Sequence, residues 1–253
     1  MSDLFSGIVQ WELTWRGEPG KLPIFYFDNT VLTAVFSAKT SAVKRLLPHV
    51  DLHPIELHPG RSLVAVTAFE YRRTDIDAYN ELSIALLVQR GRHPLPGIAA
   101  AKQVLQRRYE AFVWQLPVTT ERARVAGVEL YGYPKFLADI AFERTGESLR
   151  CELGLDGQRL LALDCRQGAT RRGQRLQFVT YSVKDGVLLK ANVLVDPLEY
   201  RESYGAGAQL SIGSGHGLCD GLRSLDLSRH PVMVQVAPRA QAILFGPRNL
   251  ADD

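Results

Sequence analysis

Leu176 to Val195, LQFVTYSVKDGVLLKANVLV, is the stretch from which the chain is read. Two β-branched and aromatic runs, Leu176–Val183 and Val187–Val195, flank Lys184-Asp185-Gly186. Asp-Gly readily adopts the positive φ angles of a tight hairpin turn, so the stretch predicts two antiparallel strands. The pattern recurs outward from there. Leu149–Leu155 and Leu160–Asp164 flank Asp156-Gly157 as a second hairpin. Val31–Ser37, Leu63–Tyr71 and Leu82–Val88 are apolar runs of strand length. Val232–Val236 and Ala240–Phe245 flank Pro238-Arg239 and are expected to be two strands punctuated by the proline.

Helical signals are fewer. Ser41–Leu47 begins on an N-cap type of residue and stops at Pro48, and Ile98–Tyr109 follows Gly97 with good helix formers. Thr120 is expected to cap a turn through Glu121–Ala126. Many short strands with few helices predict a single α+β domain over residues 1–253. Its mainly antiparallel sheet should be curved or closed on itself.

Composition excludes several classes. The net charge of +3 over 253 residues is too mild for a dedicated nucleic-acid binder. No apolar run approaches the roughly 18 residues of a membrane helix, and the N-terminus lacks a basic start followed by an apolar stretch. The expectation is a cytoplasmic protein with neither nucleic-acid nor membrane partners. Cys151, Cys165 and Cys219 form no CxxC pair, and there is no HExxH, which argues against a disulfide framework or a metal site. Arg171, Arg172 and Arg175 lie in a Gly-containing polar stretch and read as a solvated turn, with an anion or partner contact as the alternative. Gly213-Ser214-Gly215-His216-Gly217 lacks the GK[ST] ending of a phosphate loop and reads as a flexible loop, with site lining as the alternative. His216 is the histidine whose setting invites chemistry. No nucleophile elbow accompanies it.

Gly127 to Phe136, GVELYGYPKF, is the segment that carries chemistry. Lys135 directly follows a proline and stands between aromatic residues, ahead of an apolar run to Phe142. Pro134 fixes its own φ and biases Tyr133 to an extended conformation, so the backbone feeding the lysine is stiff. Burial disfavours an ammonium, and a neutral amine can attack a ketone to form a Schiff base. The alternative is a lysine snorkelling from a strand edge.

Gly127-Val128-Glu129-Leu130 running on to Tyr133-Pro134-Lys135 resembles the acetoacetate decarboxylase family, whose Schiff-base lysine follows a Tyr/Phe-Pro pair. Tyr79-Asn80-Glu81 is similar to that family's Tyr-x-Glu. Val35-Phe36 with Val43 and Leu46-Leu47-Pro48 resembles its early strand-helix-proline unit, and Pro238-Arg239-Ala240 entering Ile243 resembles its closing strand. The resemblance implies a cone-like barrel, a homo-oligomer, a small-molecule carbonyl substrate, and no cofactor beyond the lysine. It implies that Lys135 is the nucleophile, that Glu81 orients it or relays protons, and that Glu129 is structural. Tyr131 and Tyr133 are candidate proton shuttles, and with His216 candidate substrate contacts.

The departures from the family pattern are informative. Phe136 stands where the decarboxylase has a second lysine. A like charge about 4 Å away is worth about 4 kcal/mol at an effective dielectric near 20, so desolvation has more to do here. Asn29 stands where the family has a carboxylate-binding arginine, and Thr67 where it has an acidic residue; these three complete the candidate substrate contacts. Together they imply a Schiff-base lyase acting on a keto acid or ketone other than acetoacetate, by decarboxylation or by aldol/dehydration chemistry. The alternative is a non-catalytic small-molecule binding protein that keeps the barrel pocket.

Overall fold

The computed structural model describes residues 3–251. Its first half comprises β1 (Trp11–Trp15), β2 (Glu18–Leu22), β3 (Ile24–Lys39), α1 (Thr40–Leu46), β4 (Leu52–Pro54), β5 (Glu56–His58), β6 (Arg61–Thr74), β7 (Tyr79–Arg90), α2 (Ile98–Gln106) and β8 (Arg108–Gln115). The second half comprises α3 (Glu121–Tyr131), β9 (Asp139–Thr145), β10 (Ser148–Leu155), β11 (Gln158–Arg166), β12 (Leu176–Lys184), β13 (Val187–Tyr204), β14 (Ala208–Ile212), α4 (Gly217–Ser224), β15 (Met233–Leu244) and β16 (Arg248–Asn249).

Seven strands close into a barrel in the order β7-β8-β12-β13-β15-β3-β6, with β6 returning to β7. Every pairing around it is antiparallel except that of β8 with β12. A parallel pair needs a long crossover. Here α3 and strands β9 to β11 supply it, and with β14 those strands form a second sheet in the order β14-β11-β10-β9.

The three strands β3, β6 and β7 each pack one face in the core, and β7 is buried on both. Leu32, Ala34 and Phe36, Val64, Val66 and Ala68, and Leu82, Ile84 and Leu86 pack in one core with the second sheet and α4. Their alternate neighbours, Val31 and Thr33, Ala65 and Thr67, Ser83 and Ala85, line a hollow inside the barrel. Two buried faces explain why Leu82–Val88 is apolar without alternation.

Several local expectations need correction. β15 does not break at Pro238: it continues through the proline with register shifts between Ala237 and Ala242, a bulge that tolerates the missing N–H. α2 ends at Gln106, because Arg107 turns left-handed and Tyr109 pairs with Phe178 in the barrel. α3 starts as expected, with the Thr120 hydroxyl accepting the Ala123 N–H at 3.4 Å, but runs past Ala126 to Tyr131. Arg172 and Arg175 are not simply solvated. They reach the buried Asp196 carboxylate on β13 at 2.7 and 3.4 Å. Among the described residues, no helix is long and apolar enough to cross a membrane.

Candidate active site

The hollow has a volume of about 650 Å³ and a largely apolar wall. One end is closed. There Tyr26, Tyr71, Glu81 and Tyr133 line it, all less than a tenth exposed, and α3 packs in the same core as those tyrosines. The β3–β6 ladder shifts register between Tyr26 and Asn29, so both side chains point inward despite their odd spacing.

Lys135 enters this closed end from the loop after α3. Gly132 caps the helix at φ +60°, a conformation glycine adopts without strain, and its N–H bonds Val128 O at 3.1 Å. The Tyr133 N–H then returns to Gly127 O at 3.1 Å. Val118 ties the loop to the barrel: its N–H donates to Phe136 O at 2.9 Å, and its carbonyl accepts from the Ala138 N–H at 3.0 Å. The same residue bridges to Glu81 on β7. One residue therefore holds both segments in register.

The lysine Nζ lies 2.6 Å from Glu81 Oε2, and both side chains are more than nine-tenths buried. The Tyr79 ring centroid is 5.4 Å from the ammonium, on its π face. Tyr71 OH stands 3.5 Å from the other Glu81 oxygen, and the hydroxyls of Tyr26 and Tyr79 are 3.4 Å apart. Burial, reinforced by the Glu81 charge, raises Tyr26, Tyr71 and Tyr79 above the ordinary phenol range; burial raises Tyr133 too, against its bond to Thr180. These phenols stay protonated at neutral pH and can donate.

Gly127 has a role that its place in the sequence motif does not disclose. A Cβ built on it would meet Lys135 Cδ and Cε, each at 2.4 Å. The lysine stem lies directly across the helix backbone. Glycine within a helix costs about 1 kcal/mol relative to alanine. Its position in mid-helix was the available signal of a close approach.

The candidate residues divide into two groups. Lys135, Glu81, Asn29, Thr67 and Tyr133 line the hollow. Tyr133 OH lies 2.6 Å from Thr180 Oγ1, and Thr67 Oγ1 lies 3.2 Å from Thr33 Oγ1. Asn29 is 1% exposed, and neither atom of its amide has a hydrogen-bond partner. Tyr131, Phe136 and His216 do not line the hollow. Tyr131 is buried behind Tyr133, its ring stacked at 5.2 Å. Phe136 follows Lys135 on the opposite side of the loop and packs against the core shared with the second sheet. His216 caps α4, with Nδ1 accepting the Leu218 N–H at 3.1 Å. Glu129 pairs with Arg16 outside the hollow. Tyr26, Tyr71 and Val118 were not singled out from sequence, because their roles depend on pairings between distant strands.

Among the described residues, Lys135 is the one lysine or arginine lining the hollow. Arg72 is held by Asp28 at 2.8 Å and Glu70 at 2.9 Å, while Arg73 lies over Phe27. No group of histidine, cysteine, aspartate and glutamate side chains among the described residues is arranged to hold a metal ion.

The comparisons agree with this architecture. No curated protein matches the chain. Among solved structures, the enduracididine biosynthesis enzyme MppR complexed with pyruvate is similar with a TM-score of 0.67 at 15% identity, covering 91% of each chain. Acetoacetate decarboxylase from Legionella pneumophila gives 0.62 at 12% identity, covering 90% of this chain and 88% of that one. An acetoacetate decarboxylase-like enzyme from Sphingomonas wittichii RW1 gives 0.56 at 15%, covering 90% and 93%. At such identities the likeness carries the fold. The family model for acetoacetate decarboxylase, however, matches residues 14–189, from the first hairpin through the Tyr79-Asn80-Glu81 and Tyr133-Pro134-Lys135 motifs. On that match the chain belongs to the acetoacetate decarboxylase family.

Proposed function

We propose that this protein is a lyase that activates a ketone or keto acid as a Schiff base on Lys135. The observation that carries the reading is the 2.6 Å contact between Lys135 and Glu81 at the closed end of an apolar hollow. Glu81 accepts the ammonium proton, and the neutral amine attacks the carbonyl carbon. Loss of water from the carbinolamine leaves an iminium whose positive nitrogen withdraws electrons from the adjacent carbon. A proton, a carboxylate (as carbon dioxide) or an aldol partner then departs, leaving its bonding electrons to form an enamine. Protonation by Glu81 or a neighbouring phenol, followed by hydrolysis, returns product and free lysine.

The wall selects among these substrates. A carboxylate brought to the closed end would meet Glu81 and no cation other than Lys135, and a buried unpaired charge costs several kcal/mol. Asn29 instead offers an unpaired neutral amide that can bond a carbonyl or hydroxyl oxygen. This supports aldol, retro-aldol or dehydration chemistry over decarboxylation of a small keto acid. Acetoacetate is expected to be a poor substrate: purified protein should release carbon dioxide from it at little above the uncatalysed rate. Efficient release would reject this selection.

A further inference from the structure

The hollow is much longer than the reacting group requires. Its inward positions run along β7 from Glu81 through Ser83 and Ala85 to Leu87, six residue steps, and along β3 from Asn29 to Val35. At about 3.3 Å per residue this is about 20 Å of strand, or about 15 Å along a barrel axis for strands tilted near 40°. An extended chain with C–C bonds near 1.5 Å advances about 1.25 Å per bond, so about twelve carbons fit that depth. The two ends differ in exposure. The lining residues at the Lys135 end are buried, whereas Leu105 on α2 is 84% exposed and Tyr204 on β13 is 69% exposed. The hollow therefore opens beside α2 and is blind at the lysine.

Polar groups along the shaft are largely committed to one another. The Gln103 amide donates to Val88 O and accepts from the Glu110 N–H at the α2 end. Gln235, Tyr200 and Tyr204 all donate to the Glu202 carboxylate. Thr33 and Thr67 bond each other at mid-depth. Between these pairs the wall is Val31, Ala65, Ala85, Ala111 and Phe178, side chains that offer only dispersion contact.

Building on the Schiff-base reading, we propose that the substrate carries a long apolar tail with its carbonyl at or next to the leading end. It enters head first beside α2, sets its carbonyl at Lys135 and Asn29, and leaves the tail along the shaft. A blind end admits no large group beyond the carbonyl. This makes a long-chain methyl ketone or equivalent acyl ketone the matching class, and not a compact, charged keto acid.

The test is a homologous series of methyl ketones, from 2-butanone to 2-pentadecanone. Each is incubated with the intact protein and trapped with borohydride, and the adduct is quantified by intact mass against ketone concentration. Half-saturation should fall about two- to fourfold per added methylene, as burial of each methylene predicts, and then level off when the shaft is full. Ala85→Phe, or Ala111→Leu should the larger residue impair folding, narrows the shaft and should flatten that slope. A flat series in the wild type, with short-ketone adducts still formed, overturns the tail while retaining the Schiff base. A lysine-independent readout separates the opposite failure. If the ketones displace an uncharged fluorescent alkyl probe more strongly with length, but no adduct forms at any length, the shaft stands and the Schiff base falls.

Discussion

Leu86 and Leu87 are neighbours on β7, yet they serve opposite purposes. Leu86 is fully buried in the core between the barrel and the second sheet, while Leu87 lines the hollow. The same division runs through β3 and β6. One face of each strand is close-packed, and the other borders a space of about 650 Å³. The comparison teaches that the barrel does not have to fill its interior to stay folded. Packing on the outer face carries stability, which leaves the inner face free to be shaped for a ligand.

The sharpest way to break this comparison is to truncate both leucines. Leu86→Ala opens a dry cavity in a packed core and should cost about 3–5 kcal/mol. Leu87→Ala enlarges a space that already exists and should cost less, about 2–3 kcal/mol, since the transfer of the leucine is still lost but the added cavity penalty is small. Denaturant titrations of the two variants give the result directly. Equal losses would mean that the inner wall also bears the stability of the barrel.

A second test moves the lysine without touching it. Gly127→Ala places a methyl where Lys135 Cδ and Cε now lie, and the flexible side chain is what gives way. Displacement of a reacting group by about 1 Å can cost about 100-fold, so Schiff-base formation should slow by about that factor. The melting temperature should hold or rise, because alanine is the better helix former. Slower chemistry with unchanged stability would assign Gly127 to the site; unchanged chemistry would return it to the scaffold.

Much of the architecture was legible in sequence, and the reasons are local. Asp185-Gly186 fixes a hairpin by turn chemistry alone, and β-branched runs mark strands wherever they occur. The pairing of β8 with β12 was not legible, because some sixty intervening residues separate the partners and no local pattern encodes it. The site divides in the same way. Pro134 draws attention to Lys135 directly, whereas Glu81 is linked to it only through the family resemblance, across 54 residues. Adjacency misled at Phe136, since consecutive residues of an extended segment face opposite sides. His216 misled because a histidine beside glycines is as suited to capping a helix as to chemistry.

That opposition gives a smaller test. Phe136→Lys restores the family's pair of lysines in sequence, but the new side chain would face the packed core and not the hollow. It should lower stability by about 1–3 kcal/mol, as overpacking or a buried polar group does, without speeding adduct formation. A faster reaction would show that the loop can present both residues to the ligand.

The tyrosines of the closed end predict the mildest effect. Burial raises Tyr26, Tyr71, Tyr79 and Tyr133 in the folded state, while unfolded tyrosines ionise near pH 10. Stability from these phenols is therefore complete below about pH 10 and declines as pH rises from there toward the folded-state values. Tyrosinate absorbance for this group should appear together with unfolding. Ionisation of all the tyrosines near pH 10 in the folded protein would show that the closed end is wet.

The central claim is that Lys135 is the residue that forms the imine. Borohydride trapping with a methyl ketone, followed by peptide mapping of the wild type and Lys135→Ala, tests it most directly. A reduced adduct is expected on the peptide containing Lys135 in the wild type and none in the variant, with both proteins giving the same circular dichroism spectrum. Equal adducts in both proteins, or an adduct mapped to another lysine, would contradict it.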